Sequence, residues 1–317
     1  MRYPMTPPPP GRALIVLAGA VAWTMSCGAP GSPREAPSPA PDTTVTADAL
    51  AMVPPPDTAV HAGRYRSVEI PSRRALRGLW KELGPERFLL TLKVNRRDSS
   101  HVRDGDSLMV PDSTAELLDL SPFPRELPSI RDFVKLILVS RRVQAFAAYE
   151  TGRLVRWGPT STGRETLQTL EGLYHTNWKD KERTSTFNEE WLLRWYVNIE
   201  NFLGISFHLF DLPGYPASHS CIRLLEDDAI WLYEWAEQWK IDPQDPRRIL
   251  QHGTPVAVFG QFAYGKKSPW RKLAMDSTAT NVPLGEIEVP VEKWLKGPVG
   301  DSLRTVTAAA PADSATR

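Results

Sequence analysis

A cysteine and a histidine thirteen positions apart carry the strongest chemical signal in this chain. His208 lies in the apolar run Ile205-Ser206-Phe207-His208-Leu209-Phe210, and Cys221 in Ser218-His219-Ser220-Cys221-Ile222-Arg223. A thiol becomes a nucleophile as its thiolate, so it needs an imidazole to take the proton and donors aimed at the oxyanion that forms on the attacked carbonyl. The loop from Asp211 to Ala217 turns the chain back, so that His208 can face Cys221. The amides of Ser220 and Cys221, close to the start of the helix that follows, are placed to bind the oxyanion. Two other readings use the same residues. A lone cysteine is by default a small buried hydrophobe, and a single histidine a satisfied strand or loop residue. His208, Asp211, His219 and Cys221 are also all zinc-ligand types, although Cys221 and His219 are separated by one residue and no Cys-x-x-Cys or His-Glu-x-x-His accompanies them.

These residues need a scaffold, and the pattern around them is mainly β. Lys135 to Val139 and Val143 to Tyr149 read as strands that lead through the Glu150-Thr151-Gly152-Arg153 turn into Leu154 to Trp157. Further strands fit Gly172–Thr176, Leu193–Ile199, Ile205–Phe210 and Pro255–Gly260. One helix interrupts them: Leu225, Ala229, Leu232, Tyr233 and Ala236 share a face, with Glu226, Asp227 and Asp228 in the first turn, where acids suit the helix dipole. Trp191, Trp195 and Tyr196 read as core, and Trp178 with the charged run Lys179 to Arg183 as a cover over the substrate.

Nearer the N-terminus, Ala75, Leu76, Leu79, Trp80 and Leu83 fall at helical spacing, and Gly84 is placed to end that helix. A second helix fits Glu86–Val94, followed by a polar loop and the short strand Ser107–Pro111. A strand, two short helices and a closing strand resemble the LysM module, a glycan-binding unit of cell walls. Leu90-Thr91-Leu92-Lys93-Val94-Asn95 and Val102 to Pro111 carry that likeness, whereas Ile70-Pro71-Ser72-Arg73 stands where the module has Gly-Asp-Thr-Leu. A small α/β module that packs on its neighbour is the other reading.

His208 with Ser218 to Leu224 resembles the signature of L,D-transpeptidases of the YkuD type, a histidine followed after a loop by Ser-His-Gly-Cys and an aliphatic-Arg or aliphatic-Asn pair. Ser161-Thr162-Gly163 and Thr169 to Tyr174 are similar to the family's upstream segments, with Leu170 in place of a proline. The resemblance covers about Lys135 to Gly260 and implies a mostly β fold, a sandwich or barrel with one main helix after the catalytic loop, preceded by the small α/β module. It implies Cys221 as nucleophile and His208 as proton donor and acceptor, with a backbone carbonyl holding its other ring nitrogen. His219 and Ser218 would line and orient the site, and Arg223 would support the loop or meet a substrate carboxylate. Neither cofactor nor metal is implied. The implied reaction releases D-Ala from a peptidoglycan stem peptide, forms a thioester and transfers the acyl group to an amine. Water in place of the amine would give a carboxypeptidase or endopeptidase; an inactive site would leave a peptidoglycan-binding protein. Ser220 stands where the family has glycine, and a positive φ there would strain it by about 1 kcal/mol or more.

The ends of the chain suggest location. Arg2 and Arg12 precede the apolar run Ala13 to Trp23, of signal-peptide length, and Thr24-Met25-Ser26-Cys27 resembles a lipobox, with Cys27 the residue to be acylated. If Cys27 carries lipid, Cys221 has no disulfide partner, because the chain has only 2 cysteines. The expected organisation is a signal over 1–27, a Pro/Ala/Ser-rich tether over 28–62, the LysM-like module over 64–112, the catalytic domain over 130–262 and an extension over 263–317. In that extension Glu286–Leu295 reads as one short packed element, and the residues after Val306 as a frayed end. The expected partners are peptidoglycan stem peptides, glycan, and a membrane reached through the lipid anchor. With 38 Lys and Arg against 37 Asp and Glu, and no concentrated basic segment, nucleic acid is excluded.

Overall fold

The structure, a computed structural model, describes residues 64–185, 188 and 190–295. The signal, the tether, Cys27 and the end beyond 295 lie outside the described residues. What is described falls within one compact unit.

The chain opens with β1 (Tyr65–Ile70), α1 (Arg73–Val94) and β2 (Asp106–Pro111), with β1 and β2 antiparallel. Ser72 caps α1 by accepting from the amide of Ala75 at 3.2 Å. Gly84 breaks the helix at φ 73°, and Pro85 restarts it. The expected pair of helices is therefore present within α1, one stopping at Gly84 and the next running on to Val94.

Next come β3 (Lys135–Ser140), β4 (Ala145–Glu150), β5 (Arg153–Pro159), β6 (Gly172–His175), β7 (Lys179–Thr184), β8 (Leu192–Asn198), β9 (Ser206–Leu209) and β10 (Ile222–Leu224). After them are α2 (Glu226–Trp235), β11 (Lys240–Ile241), β12 (Ile249–Gln251), β13 (Pro255–Phe259) and α3 (Leu284–Leu295). Two sheets carry the fold, one in the order β5-β4-β3-β13-β6 and the other β10-β9-β8-β7. They pack as a sandwich, and among the described residues no barrel closes.

Strand alternation explains the layers. Ile137, Val139, Phe146, Val256 and Val258 face one way and meet Val197, Phe207, Ile222 and Leu224 of the second sheet, together with Ala229 and Leu232 of α2. Leu136, Leu138, Ala147, Tyr149 and Phe259 face the other way. That second core is closed by Val94 and Met109 of the N-terminal module and by Trp270, Ile287 and Val291 from the C-terminal segment. β3, β4 and β13 are buried on both faces, which is why they read as nearly unbroken apolar runs. Each such buried Ile, Val or Phe contributes roughly 1.5–3 kcal/mol.

The C-terminal segment is thus a wall of the core, locked further by an ion pair between Glu286 and Arg142 at 2.6 Å. Lys179 to Arg183, read from sequence as a cover, forms most of the edge strand β7, paired antiparallel with β8. Its charges suit a solvent-facing edge that must not pair with another chain.

Candidate active site

β9 and β10 are parallel neighbours, with Phe207 opposite Ile222 and His208 opposite Arg223. Ser206 and His208, two apart on β9, project to the same face. Cys221 enters just before β10, so its thiol arrives beside them. Its Sγ lies 3.3 Å from the Ser206 hydroxyl and 3.4 Å from the carbonyl oxygen of Gly204. His208, Ser218, His219, Cys221 and Arg223 all line one small pocket of about 30 Å³, with Trp191 and Phe210 among its other walls.

His208 is almost fully buried and its Nδ1 lies 3.0 Å from the carbonyl oxygen of Leu209. An Nδ1–H donating there leaves Nε2 as the basic nitrogen. Tyr196 stacks on the ring at 6.3 Å and Phe210 meets it edge-on at 5.8 Å. Burial holds the imidazole down to about 4, despite its bond to the Leu209 carbonyl. Burial also pushes the Cys221 thiol up, opposed by hydrogen bonds from Ser206 and by the Arg223 charge. Both groups are therefore neutral at pH 7, which suits a base that takes the proton as the sulfur attacks.

The loop that carries Cys221 is held from the end of β5. Ser161 and Arg223 exchange backbone hydrogen bonds at 3.2 and 3.1 Å, and the amide of Ser218 donates to the Thr162 carbonyl at 3.1 Å. The Thr169 hydroxyl donates to the carbonyl of Ser220 at 2.7 Å and accepts from the amide of Gly163 at 2.9 Å. A Cβ on Gly163 would meet the Leu167 carbonyl oxygen at 2.1 Å, so only glycine permits this approach. The Ser218 hydroxyl donates to the carbonyl of Cys221 at 2.5 Å.

Ser220 itself sits at φ 89°, the left-handed region that favours glycine. Among the described residues the amides of Ser220 and Cys221 have no acceptor in the protein, which leaves both free for an oxyanion. The helix does not follow directly, as the sequence suggested. β10 intervenes, and α2 begins at Glu226 with Leu225 as its N-cap.

Arg223 stacks over Phe210 at 4.5 Å, and its Nη1 reaches the Asp211 carbonyl oxygen at 3.4 Å, so it ties the loop's beginning to its end. His219 is half-buried against Trp191 at 5.7 Å. Trp191 is thus a wall of the pocket, not core. Ser206, the thiol's nearest hydroxyl, was missed; its position two residues before His208 was the available signal. The alternative metal set of His208, Asp211, His219 and Cys221 is not drawn together at ligand spacing among the described residues. Among the described residues the cluster with ligand spacing is Asp98, His101 and Asp211, without His208, His219 or Cys221.

Residues 134–258 match the model of the YkuD family, the L,D-transpeptidase catalytic domain. Among solved structures, an L,D-transpeptidase of Stackebrandtia nassauensis is 23% identical, covering 40% of this chain and 56% of that one at a TM-score of 0.33. One from Mycobacterium smegmatis is 18% identical over 39% and 58%, at 0.31. An Enterococcus faecium L,D-transpeptidase mutant is 20% identical over 39% and 49%, at 0.31. This chain therefore spans less than two thirds of the length of each of these structures. No curated protein sequence matches it.

Proposed function

We propose that the 134–258 domain is a cysteine L,D-transpeptidase acting on peptidoglycan stem peptides. The observation that carries this reading is the convergence of a buried, neutral His208 and the Cys221 thiol on one pocket, within the segment that matches the L,D-transpeptidase catalytic-domain model. His208 Nε2 takes the thiol proton as Sγ attacks the carbonyl of the residue before D-Ala. The oxyanion is received by the amides of Ser220 and Cys221. Collapse expels D-Ala, whose nitrogen takes the proton back from His208, and leaves a thioester. An acceptor amine then attacks the thioester, its proton passes through His208 to the departing thiolate, and an amide replaces the C–S bond.

The apolar run before Cys27 supports export, with the lipidated cysteine as membrane tether. Labelling of Cys27 by radioactive palmitate, lost in Cys27→Ala, tests that placement. The activity is tested by the mass spectrum of the protein after exposure to a carbapenem and by D-Ala release from a tetrapeptide stem. An adduct and D-Ala are expected from wild type, and neither from Cys221→Ala. A wild-type protein that gives neither is not a transpeptidase.

A second reading, a wall-binding protein with a silent site, draws on Trp80, which is 47% exposed beside a groove of about 530 Å³ on α1. Sedimentation with insoluble peptidoglycan that depends on Trp80, in a protein without thiol chemistry, would favour it.

A further inference from the structure

The loop that joins His208 to Cys221 is gripped from two sides. On one side the Ser161 hydroxyl donates to the Tyr215 carbonyl at 2.8 Å and accepts from the Ala217 amide at 3.1 Å. On the other side stands the N-terminal module, through the turn that leaves α1. The Asp98 amide donates to the Leu212 carbonyl at 3.0 Å, and the Leu212 amide donates back to Asp98 Oδ2 at 2.7 Å. Arg97 bridges to Pro213, and its side chain lies against Gly214, where a Cβ would come within 2.5 Å of Nε. Gly214 is at φ 90°, so both its conformation and its neighbour call for glycine.

The gripping turn is itself anchored. Asn95 bonds to the Met109 amide and carbonyl at 2.9 and 2.8 Å, fixing the turn to β2. The Arg96 guanidinium is buried between Trp157 and Trp270 and donates to the Val143 carbonyl at 2.9 Å. The Asp98 carboxylate is the hub: Oδ1 accepts from the Ser100 hydroxyl at 2.6 Å and from the His101 amide at 3.0 Å, while Oδ2 holds Leu212. Leu212 is fully buried, so its amide has no water to turn to if the carboxylate is lost.

From this geometry we infer that Asp98 is a positioning residue for the His208–Cys221 loop, and that the N-terminal module forms part of the catalytic apparatus. Asp98 touches no reacting atom. It fixes Leu212 and with it Phe210 and Asp211, the pocket wall and the anchor of Arg223. The inference rests on the transpeptidase reading, since it concerns how that site is held.

The test measures acylation of the full chain by imipenem, separating the rate at saturation from the apparent affinity, in wild type, Asp98→Ala, Asp98→Asn and Gly214→Ala. Asp98→Ala should lower the saturating rate by about tenfold or more with little change in affinity, the effect of losing the carboxylate's hold on Leu212. Asp98→Asn keeps an oxygen for the Leu212 amide and should recover most of the rate. Gly214→Ala, which pushes the loop off Arg97, should slow acylation even if Asp98→Ala does not fold. Amide exchange at Leu212 should quicken in Asp98→Ala. Wild-type rates in Asp98→Ala or Gly214→Ala, or no recovery in Asp98→Asn, would overturn the inference. Absence of any adduct in wild type would instead overturn the transpeptidase reading.

Discussion

The hydroxyl of Thr169 donates to the main-chain carbonyl of Ser220, 51 positions away, and so helps to hold the residue before Cys221 at φ 89°. An L-residue with a Cβ resists that conformation, and glycine does not. Ser220→Gly should therefore stabilise the protein by about 1 kcal/mol in urea unfolding, after allowing for the larger entropy of the unfolded glycine chain. Ser220→Ala should bring no gain. Equal stability of wild type and Ser220→Gly would mean that the loop carries no strain there.

Lys93 and Asp228 form a buried ion pair across 135 positions, from the end of α1 to the first turn of α2. Arg156 holds the other carboxylate oxygen at 2.8 Å. Removing one partner leaves a buried charge short of its counter-charge, so Lys93→Met should cost about 3 kcal/mol. Lys93→Met combined with Asp228→Leu should cost less than Lys93→Met alone. A double-mutant cycle by chemical denaturation checks both values.

The N-terminal module cannot be removed without damage, because Arg96 and Lys93 are built into the neighbouring layers. A chain lacking residues 64–112 should lose its cooperative thermal transition. A sharp melt with native near-ultraviolet circular dichroism in the truncated protein would contradict the shared core.

The sequence exposed what depends on local pattern. Lys135–Val139 and Pro255–Gly260 read as strands because burial on both faces removes polar residues from them. Gly84 marked the break in α1 because its conformational freedom is local. That His208 and Cys221 come to line one pocket was foreshadowed by residue type and spacing. What escaped are the contacts whose partners lie far apart in the chain. Lys93, Arg96 and Asp98 look like solvated charges in one dimension; only the fold puts them against Asp228, Trp157 and Leu212. Trp191 looked like core for the same reason, since a pocket wall and a core position are equally aromatic in sequence.

Ser206 contributes the hydroxyl 3.3 Å from the thiol, and it works against the burial that raises the Cys221 pKa. Ser206→Ala should push the thiol higher still and slow alkylation by iodoacetamide at pH 7 roughly tenfold, the worth of one hydrogen bond to a developing thiolate. The fold should tolerate the change, since alanine fits the space serine leaves. An unchanged alkylation rate would exclude Ser206 from thiolate stabilisation.

His208 gives stability and activity a pH dependence of fixed sign. In the folded protein burial keeps it neutral until about pH 4, whereas the unfolded chain takes up the proton near 6.5. The unfolded state therefore binds more protons between those values, and stability falls as pH drops from 6.5 towards 4. For this group the full loss is about 3 kcal/mol, from the separation of the two values at 1.36 kcal/mol per pH unit. His175 is also held down to about 4 and adds a loss of the same sign, so the contribution of His208 is read as wild type minus His208→Asn. That difference in unfolding free energy should shrink from pH 7 to pH 4.5. In the same range the acylation rate should keep a working base, with its acid limb near pH 4 and not near 6.5. A difference that stays flat with pH would mean that His208 is protonated as readily in the fold as outside it, and the neutral pair proposed for the resting enzyme would have to be abandoned.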